Sequence, residues 1–309
     1  MIILANTTDV HINGPSAVAI GKFDGVHKGH QMLLEQVIKY KEMGYQAVAF
    51  TFDPSPAVFF SGGKEKVLLT REEKREWLET MGIDVLIEYP MNRNTADILP
   101  ENFIKEVLVN RLHTKVLVAG EDVSYGKKGA GDLSLLQSLS KEFGYEVNVI
   151  EKLRYDEKII SSTLIRDSVL EGDMEYVGRL LGTPYSFRGV VSHGSNKGTG
   201  FHMPTANLIP SEDKLLPPFG VYFSKVRVDG CEYAAITNIG MKPTVSDKSV
   251  VGVETFLYNY SGDLYGKKIE VYLLKFWRTE QKFETVELLI RQLEQDKRKG
   301  QEYHFGGRY

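Results

Sequence analysis

The stretch GKFDGVHKGH occupies residues 21–30 and joins two segments of different hydrophobic pattern. The apolar run AVAI before it ends at Ile20, and it predicts a short strand buried on both faces, as in a parallel sheet. After it, apolar residues recur at helical spacing from Met32, so a helix is predicted to begin near Gly29 or His30. The stretch is therefore predicted to be the loop between a strand and a helix.

A loop in this position is suited to bind an anion. In open α/β sheets, ligands bind outside the carboxyl ends of the strands, and the free N–H groups of the following helix favour negative charge. Gly25 and Gly29 allow the main chain to approach a phosphate closely. His27 and His30 lie three residues apart, so both imidazoles can donate hydrogen bonds to one polyphosphate.

These histidines admit two other interpretations, a surface position and a zinc site. A single histidine in a loop is usually a surface residue, but two histidines and two glycines at a strand-to-helix junction favour a binding role. A zinc site needs a third or fourth ligand. Cys231 is the single cysteine of the chain, and no second cluster of histidine and glutamate lies nearby in sequence. Metal binding by this pair is therefore disfavoured.

A second polar motif, SSTLIRDS, begins at Ser161. Ser161, Ser162 and Thr163 can cap a helix and donate hydroxyl groups to phosphates. Arg166, one turn later, offers a planar group that pairs with phosphate oxygens. The alternative is an ordinary helix cap followed by a surface arginine.

Length and composition restrict the class of protein. A chain of 309 residues suggests two domains, and 42% hydrophobic with 26% charged residues is ordinary for a globular protein. One cysteine fits a reducing, cytoplasmic location. No apolar run approaches the roughly 20 residues of a membrane span, and no signal peptide is recognisable. A net charge of −3 without a basic stripe disfavours nucleic acid as a partner.

The hydrophobic pattern divides the chain into two halves. Up to residue 183, predicted strands at residues 17–20, 46–52, 84–90, 115–120 and 146–153 alternate with helices, which predicts a Rossmann-like α/β domain with a parallel sheet. From Phe187 the pattern is rich in strands and ends in one amphipathic helix, which predicts an antiparallel β-barrel with a terminal helix. The boundary is predicted near Gly182–Pro184, giving domains of residues 1–183 and 184–309.

The two N-terminal motifs resemble GxFDGxHxGH and SSTxIR of bifunctional bacterial riboflavin kinase/FAD synthetases. This resemblance implies that the N-terminal domain is an FMN adenylyltransferase using ATP and Mg²⁺. It implies catalytic roles for His27, His30 and Arg166. It also implies nucleotide or phosphate binding by the loop and the helix cap, at Gly21, Phe23, Asp24, Gly25, Gly29, Ser161, Ser162 and Thr163. The loops near Asp122 and Tyr125 are implied to contact flavin.

The second half resembles the riboflavin kinases of the same family through the run PTAN at residues 204–207. The resemblance implies that Thr205 and Asn207 bind Mg²⁺, and that Glu254 is the general base. It further implies phosphate contacts at Gly194 and Gly198 and a flavin contact at Arg278. From the residues alone, PTAN could equally be a turn entering a strand, and Glu254 an outward-facing strand residue.

Several positions depart from the family pattern, and four of them bear on whether both activities are retained. Ser55 stands where the family has histidine, His202 where it has glycine, Phe256 where it has histidine and Asn259 where it has aspartate. The leading hypothesis is an enzyme with both activities, whose substrates and products are riboflavin, FMN and FAD. The alternatives are a divergent relative with one efficient activity and a regulator that binds flavin or nucleotide. The sequence pattern indicates no particular oligomeric state.

Overall fold

The computed structural model describes residues 1–192, 205–243 and 249–306. The chain forms two compact units, Met1–Ser162 and Thr163–Tyr309. Within the described ranges, every helix is too short or too polar to cross a bilayer.

The first unit is built on a parallel sheet, as the alternation of strands and helices predicted. Its six strands are β1 Ile2–Ala5, β2 Ser16–Ile20, β3 Gln46–Asp53, β4 Val85–Pro90, β5 Thr114–Gly120 and β6 Glu146–Ile150. The helices are α1 Lys28–Lys39, α2 Pro56–Phe60, α3 Arg71–Met81, α4 Arg93–Ala96, α5 Pro100–Asn102 and α6 Leu133–Phe143, with 3₁₀ turns at Tyr40–Met43 and Lys127–Gly129. Helix α5 continues as a π-helix over Phe103–Arg111. A small hairpin of β7 Arg154–Tyr155 and β8 Lys158–Ile159 completes the unit.

Strand β2 shows why the sequence before the loop is continuously apolar. All five of its residues are buried. Val18 and Ile20 belong to one apolar cluster, whereas Ala17 and Ala19 belong to another. Because successive side chains of a strand point to opposite faces, these two clusters cover the two faces of the sheet.

The strand order places the loop of residues 21–30 at the point where the chain stops adding strands on one side of β2 and continues on the other. The order is β1-β4-β3-β2-β5-β6, so the chain runs from β2 to β3 and β4 on one side and continues with β5 and β6 on the other. The carboxyl ends of β2 and β5 are therefore neighbours, and this is where open α/β sheets bind ligands.

Strand β1 was not predicted from the sequence. It extends the sheet by parallel pairing with β4, with Ile2 opposite Val85 and Ala5 opposite Glu88. Ile2 and Ile3 are exposed, as expected for an edge strand. A four-residue segment with two exposed apolar residues has no clear period, so its pairing is decided by the neighbouring strand.

The second unit contains helices α7 Ser162–Glu171, which begins at the last residue of the first unit, and α8 Met174–Leu181. Its antiparallel sheet has the order β10-β13-β12-β11-β14-β9. The strands are β9 Ser186–Val190, β10 Thr205–Leu208, β11 Gly220–Val228, β12 Cys231–Pro243, β13 Ser249–Leu257 and β14 Lys268–Thr279. A bridge between Ser192 and Asn207 joins the chain after β9 to β10, so the sheet curls and its two edges meet at one point. This confirms the predicted class of fold.

The terminal helix α9, Val286–Phe305, covers one face of this sheet. Tyr303 stacks on Phe223 of β11 with ring centroids 4.5 Å apart. The hydroxyl of Tyr258 donates to the carbonyl of Lys297 at 2.6 Å. The opposite face is filled by side chains and includes buried hydroxyls of Thr237 and Thr255, 2.9 Å apart.

Candidate functional site

The loop of residues 21–30 turns sharply because three of its residues adopt a left-handed backbone. Gly25 has φ +84°, and the non-glycine residues Phe23 and Val26 have φ +48° and +40°. Such values strain side-chain-bearing residues, but Phe23 and Val26 are completely buried in the apolar cluster beneath the loop. The core therefore holds the loop in one conformation.

Asp24 connects this loop to two distant parts of the first unit. One carboxylate oxygen accepts a hydrogen bond from the main-chain N–H of Leu68 at 2.8 Å. The main-chain carbonyl of Asp24 accepts a hydrogen bond from the hydroxyl of Ser162 at 2.9 Å. The two sequence motifs, 138 residues apart, thus meet at the start of α7.

The protonation of His27 follows from its position as the cap of α1. Its Nδ1 accepts a hydrogen bond from the main-chain N–H of His30 at 3.3 Å. A neutral imidazole that accepts at Nδ1 carries its proton at Nε2. His27 therefore has an Nε2–H donor that takes no part in the helix cap.

The ring of His30 stacks on that of His27, with centroids 3.8 Å apart and planes inclined by 19°. The Nδ1 atom of His30 is buried and has no hydrogen-bond partner among the described residues. A buried polar atom without a partner is uncommon in a folded protein and costs free energy. The stacked pair therefore offers one imidazole N–H and one unpartnered ring nitrogen, which fits a site that is completed by a polar ligand.

Both histidines are neutral at pH 7. Burial lowers the pKa of His27 to about 4, although Asp24 and Asp122 act in the opposite direction. Burial, together with the neighbouring His27, Lys74 and Lys22, holds the pKa of His30 well below its usual value. The pair therefore binds by hydrogen bonding from neutral imidazoles, and an incoming anion would raise both pKa values.

The loop after β5 places Asp122 and Tyr125 at the same edge of the sheet. Asp122 forms an ion pair with Lys152 at 3.1 Å and is close enough to His27 to affect its pKa. Tyr125 is buried against Phe103, with ring centroids 5.7 Å apart, and its hydroxyl meets no hydrogen-bond partner in the part of the chain that the structure describes. Desolvation raises the pKa of Tyr125 well above its usual value, so this hydroxyl stays protonated.

In the second unit, pairing between strands brings the predicted kinase residues together. Thr205 and Asn207 are two apart on β10, so they lie on one face of the sheet. Asn207 is directly opposite Glu254 of β13. Glu254 is half-buried, whereas Asn207 is nearly completely buried. One face therefore presents a hydroxyl, an amide and a carboxylate from sequence segments nearly 50 residues apart.

These residue types fit a magnesium ion. Mg²⁺ prefers oxygen ligands, and it usually keeps several waters and binds substrate phosphates together with one or two protein groups. Thr205, Asn207 and Glu254 offer only oxygen ligands once the amide oxygen faces the ion. Among the described residues, no group of three or more His, Cys, Asp or Glu side chains could hold a metal. The donor set thus resembles a shared magnesium–phosphate site more than a metal site built by protein alone.

Asn238 was missed by sequence reasoning. It lies on β12 directly opposite Glu254, so Asn207, Glu254 and Asn238 form a row across three strands. It was missed because no motif of charged or metal-binding residues surrounds it. Its membership in the row follows only from the register of β12 and β13.

Three of the four departures from the family pattern have a local structural role. Ser55 caps α2 and accepts a hydrogen bond from Val58 at 3.4 Å. Phe256 lies beneath the ammonium group of Lys297, 4.4 Å from the ring centroid. Asn259 has φ +57°, a conformation that asparagine and aspartate both tolerate, so it preserves a turn. The fourth, His202, lies outside the described residues, as do Gly194 and Gly198.

Two predicted arginines are found in different settings. Arg278 forms two hydrogen bonds to Asp296 of α9, one of 2.9 Å from its Nε, and so ties β14 to the terminal helix. Arg166 is half-buried on α7, one turn after Ser162. A role of Arg278 in flavin binding stays a prediction.

Comparisons with known proteins match both halves of the chain to described families. A family model described as FAD synthetase matches residues 9–164, and one described as riboflavin kinase matches residues 181–304. A bifunctional riboflavin kinase/FMN adenylyltransferase of Listeria monocytogenes is 36% identical over 293 residues, which cover 94% of this chain and 93% of the relative. The protein of the same name from Bacillus subtilis is 35% identical, covering 93% of this chain and 92% of the relative.

A solved structure also matches over nearly the whole chain. It is a crystal structure described as a macrolide-efflux protein from Streptococcus pneumoniae, and it is 28% identical. The TM-score is 0.82, covering 96% of this chain and 97% of the other. The two molecules therefore share their fold.

Proposed function

The chain belongs to the family of bifunctional riboflavin kinase/FMN adenylyltransferases, and from this premise we propose which residues perform each reaction. The enzyme transfers the γ-phosphate of ATP to riboflavin, giving FMN and ADP, and transfers the AMP moiety of a second ATP to FMN, giving FAD and pyrophosphate. It uses ATP, flavin substrates and Mg²⁺. The adenylyl transfer is assigned to the loop of residues 21–30 and the kinase step to the row of Asn207, Glu254 and Asn238.

The buried histidine pair supports the assignment of adenylyl transfer. An oxygen of the FMN phosphate attacks the α-phosphorus of ATP, the bond to the β-phosphate bridging oxygen breaks, and pyrophosphate leaves. The Nε2–H of His27 and the ring of His30 stabilise the negative charge that develops on the triphosphate. The loop main chain at Gly21, Phe23, Asp24, Gly25 and Gly29, and the helix start at Ser161, Ser162 and Thr163, hold the phosphates. Arg166 supplies a further positive charge.

The register of β10 and β13 supports the assignment of the kinase step. Glu254 takes the proton of the ribityl 5′-hydroxyl of riboflavin. The oxygen of that hydroxyl attacks the γ-phosphorus of ATP, and ADP leaves. Thr205 and Asn207 hold Mg²⁺, which neutralises phosphate charge when bound. Gly194 and Gly198 are assigned to phosphate contacts from the sequence pattern. Asn238 orients Glu254, since both lie on the same face and directly opposite each other.

The flavin of the adenylyl transfer is assigned to the loop after β5. Asp122 and Tyr125 follow β5, which pairs with β2 at the point where the strand order reverses. The unpartnered hydroxyl of Tyr125 supports a ligand contact there. Arg278 is assigned to flavin in the second unit, where its tie to Asp296 would fix the orientation of its guanidinium.

Incubation of the purified chain with riboflavin, ATP and Mg²⁺, followed by chromatography of the flavins, tests the function. FMN should appear first and FAD later. If the chain makes no FMN but converts added FMN to FAD, it is a divergent relative with one activity. If it makes neither product, the hypothesis of a ligand-binding regulator replaces that of an enzyme. Ser55 and Asn259 have local structural roles, whereas Phe256 lies directly opposite Thr205, so the assay decides between these alternatives.

We place the boundary between independently folding domains at residue 183, with domains of residues 1–183 and 184–309. Helix α8 ends at Leu181 and is followed by Gly182 with φ +81°, where a chain readily leaves a helix. A fragment of residues 184–309 should fold and bind flavin together with ATP in calorimetry. A fragment that unfolds would move the boundary toward residue 162.

We also propose a cytoplasmic location, because both reactions consume ATP and the single Cys231 is an exposed free thiol. Cell fractionation with antibody detection tests it. Recovery of the chain in a periplasmic or membrane fraction would contradict the proposal.

A further inference from the structure

Helix α3 presents three basic residues on one side, at Arg71, Lys74 and Arg75. Arg71 forms an ion pair with Asp53 at the end of β3. Arg75 makes two hydrogen bonds to the buried Glu88 of β4, one of 2.9 Å from its Nε. These two arginines are therefore neutralised by carboxylates of the neighbouring strands.

Lys74, between them, has no such partner. No carboxylate oxygen of the described residues lies within 4.0 Å of its ammonium nitrogen, whereas both flanking arginines meet that criterion. Its Nζ donates instead to the main-chain carbonyl of Lys22 at 3.4 Å. A half-buried ammonium with one long hydrogen bond to a neutral carbonyl is incompletely satisfied.

The partner of this contact shows where the ammonium group lies. Lys22 is the second residue of the loop of residues 21–30. Lys74 is also near enough to His30 to lower the pKa of that ring. Burial lowers the pKa of Lys74 itself, although the more distant carboxylates of Asp24, Asp53 and Glu88 act in the opposite direction. The cation thus lies against the same loop that carries the buried, unpartnered Nδ1 of His30. Two incompletely satisfied groups at one loop favour a further ligand, and the positive charge favours an anionic one.

We propose that Lys74 is a further substrate-binding residue of the adenylyl-transfer site and contacts a phosphate oxygen of a substrate. The inference rests on the proposed position of that site. Two substrates carry phosphate there, the triphosphate of ATP and the phosphomonoester of FMN, and the shared chemistry is a phosphate oxyanion. The alternative is a structural role, in which Lys74 only ties α3 to the loop through the Lys22 carbonyl.

The test separates these two roles with three variants. Lys74→Gln retains an N–H donor for the Lys22 carbonyl but removes the charge, Lys74→Met removes both, and Lys74→Arg keeps the charge. Lys39→Gln, at the far end of α1, is the matched control for the loss of one positive charge. KM and kcat for ATP and for FMN are measured in FAD formation, and KM for inorganic pyrophosphate in the reverse reaction. Binding of pyrophosphate alone is measured by calorimetry.

A phosphate contact predicts that Lys74→Gln and Lys74→Met raise one KM by about 10- to 100-fold, the size of a charge-assisted hydrogen bond. Lys74→Arg should stay within a few-fold of the parent. A rise in the KM values for ATP and pyrophosphate, together with weaker binding of pyrophosphate in calorimetry, assigns the contact to the triphosphate. A rise for FMN alone assigns it to the flavin phosphate.

Parental constants in Lys74→Gln together with a defect in Lys74→Met would show a structural tie and overturn the proposal. If Lys74→Gln changes the KM values no more than Lys39→Gln does, the proposal is overturned as well. If Lys74→Met does not fold, as judged by circular dichroism, Lys74→Gln alone decides between the two roles. The position of the site is tested separately by the histidine variants below, so a negative result at Lys74 leaves that assignment intact.

Discussion

The two candidate sites are built in opposite ways. In the first unit, the histidine pair lies within four consecutive residues, and a buried loop with left-handed residues at Phe23 and Val26 holds it. In the second unit, Asn207, Glu254 and Asn238 come from three different strands and meet only through their register. The first site is a local motif fixed by the core beneath it, whereas the second is an arrangement fixed by strand pairing.

This difference affects how each site responds to substitution and to pH. The histidines are buried, so their protonation is coupled to folding and their pKa values are depressed. In the second site Glu254 is only half-buried on the face of a sheet, where its substitution removes one polar group without changing the pairing of the strands. Effects on the first site should therefore combine chemistry with stability, and effects on the second should be mainly chemical.

The largest effect is expected from the double substitution His27→Ala and His30→Ala. Loss of one donor to a developing oxyanion costs about 10²- to 10³-fold, so FAD formation should fall by about 10⁴-fold or more. FMN formation by the same chain should continue at the parental rate. His11→Ala, at an exposed histidine of the same unit, is the matched control. Unchanged FAD formation in the double variant would remove the loop from the reaction.

Glu254→Gln should lower FMN formation by about 10²- to 10⁴-fold, since this is the usual contribution of a general base. Flavin binding should be largely retained, because the amide has the shape of the carboxylate. Glu232→Gln, an exposed glutamate on β12, serves as the control. A Gln variant as fast as an active parent would show that another group accepts the proton.

The stability of the first unit should decrease as the pH falls below 6.5. His27 has a folded-state pKa of about 4 and an unfolded value near 6.5, so the unfolded chain binds more protons between these values. The stabilisation is complete above pH 6.5 and is lost progressively as the pH falls toward 4. Between pH 6.5 and pH 5 the loss from His27 is about 2 kcal/mol, and His30 acts in the same direction.

Urea unfolding of a Trp277→Phe variant measures this effect, because Trp77 on α3 then reports on the first unit alone. The His27→Asn variant, which retains a cap acceptor, should show a smaller dependence on pH. If the free energy of unfolding depends equally on pH with and without the His27→Asn substitution, groups other than His27 produce that dependence.

The smallest effect is expected at the magnesium ligands. Thr205→Val and Asn207→Ala should each raise the Mg²⁺ concentration for half-maximal FMN formation by about tenfold, as for loss of one oxygen contact of about 1.4 kcal/mol. FAD formation should keep its Mg²⁺ dependence. Thr279→Val, on the exposed end of β14, is the control. A changed Mg²⁺ dependence of FAD formation would place these residues in a site other than the kinase site.

The sequence by itself determined the features of this protein that depend on residues close together in the chain. Alternating strands and helices predicted the parallel sheet, and the strand-rich second half predicted the antiparallel one, because side-chain period follows from backbone geometry. The glycines and histidines of residues 21–30 predicted an anion-binding loop, since a strand followed by a helix exposes N–H groups whatever the rest of the chain does.

Only the tertiary structure decided the features that depend on neighbours distant in sequence. The pairing of β1 with β4, the contact of Ser162 with Asp24 and the position of Asn238 beside Glu254 all require a register or a contact that the local pattern does not encode. The position of Lys74, held by the carbonyl of Lys22 and without an ion pair among the described residues, has the same origin. A lysine on an amphipathic helix is usually solvated, and only the packing of α3 against the loop leaves this one half-buried beside Lys22.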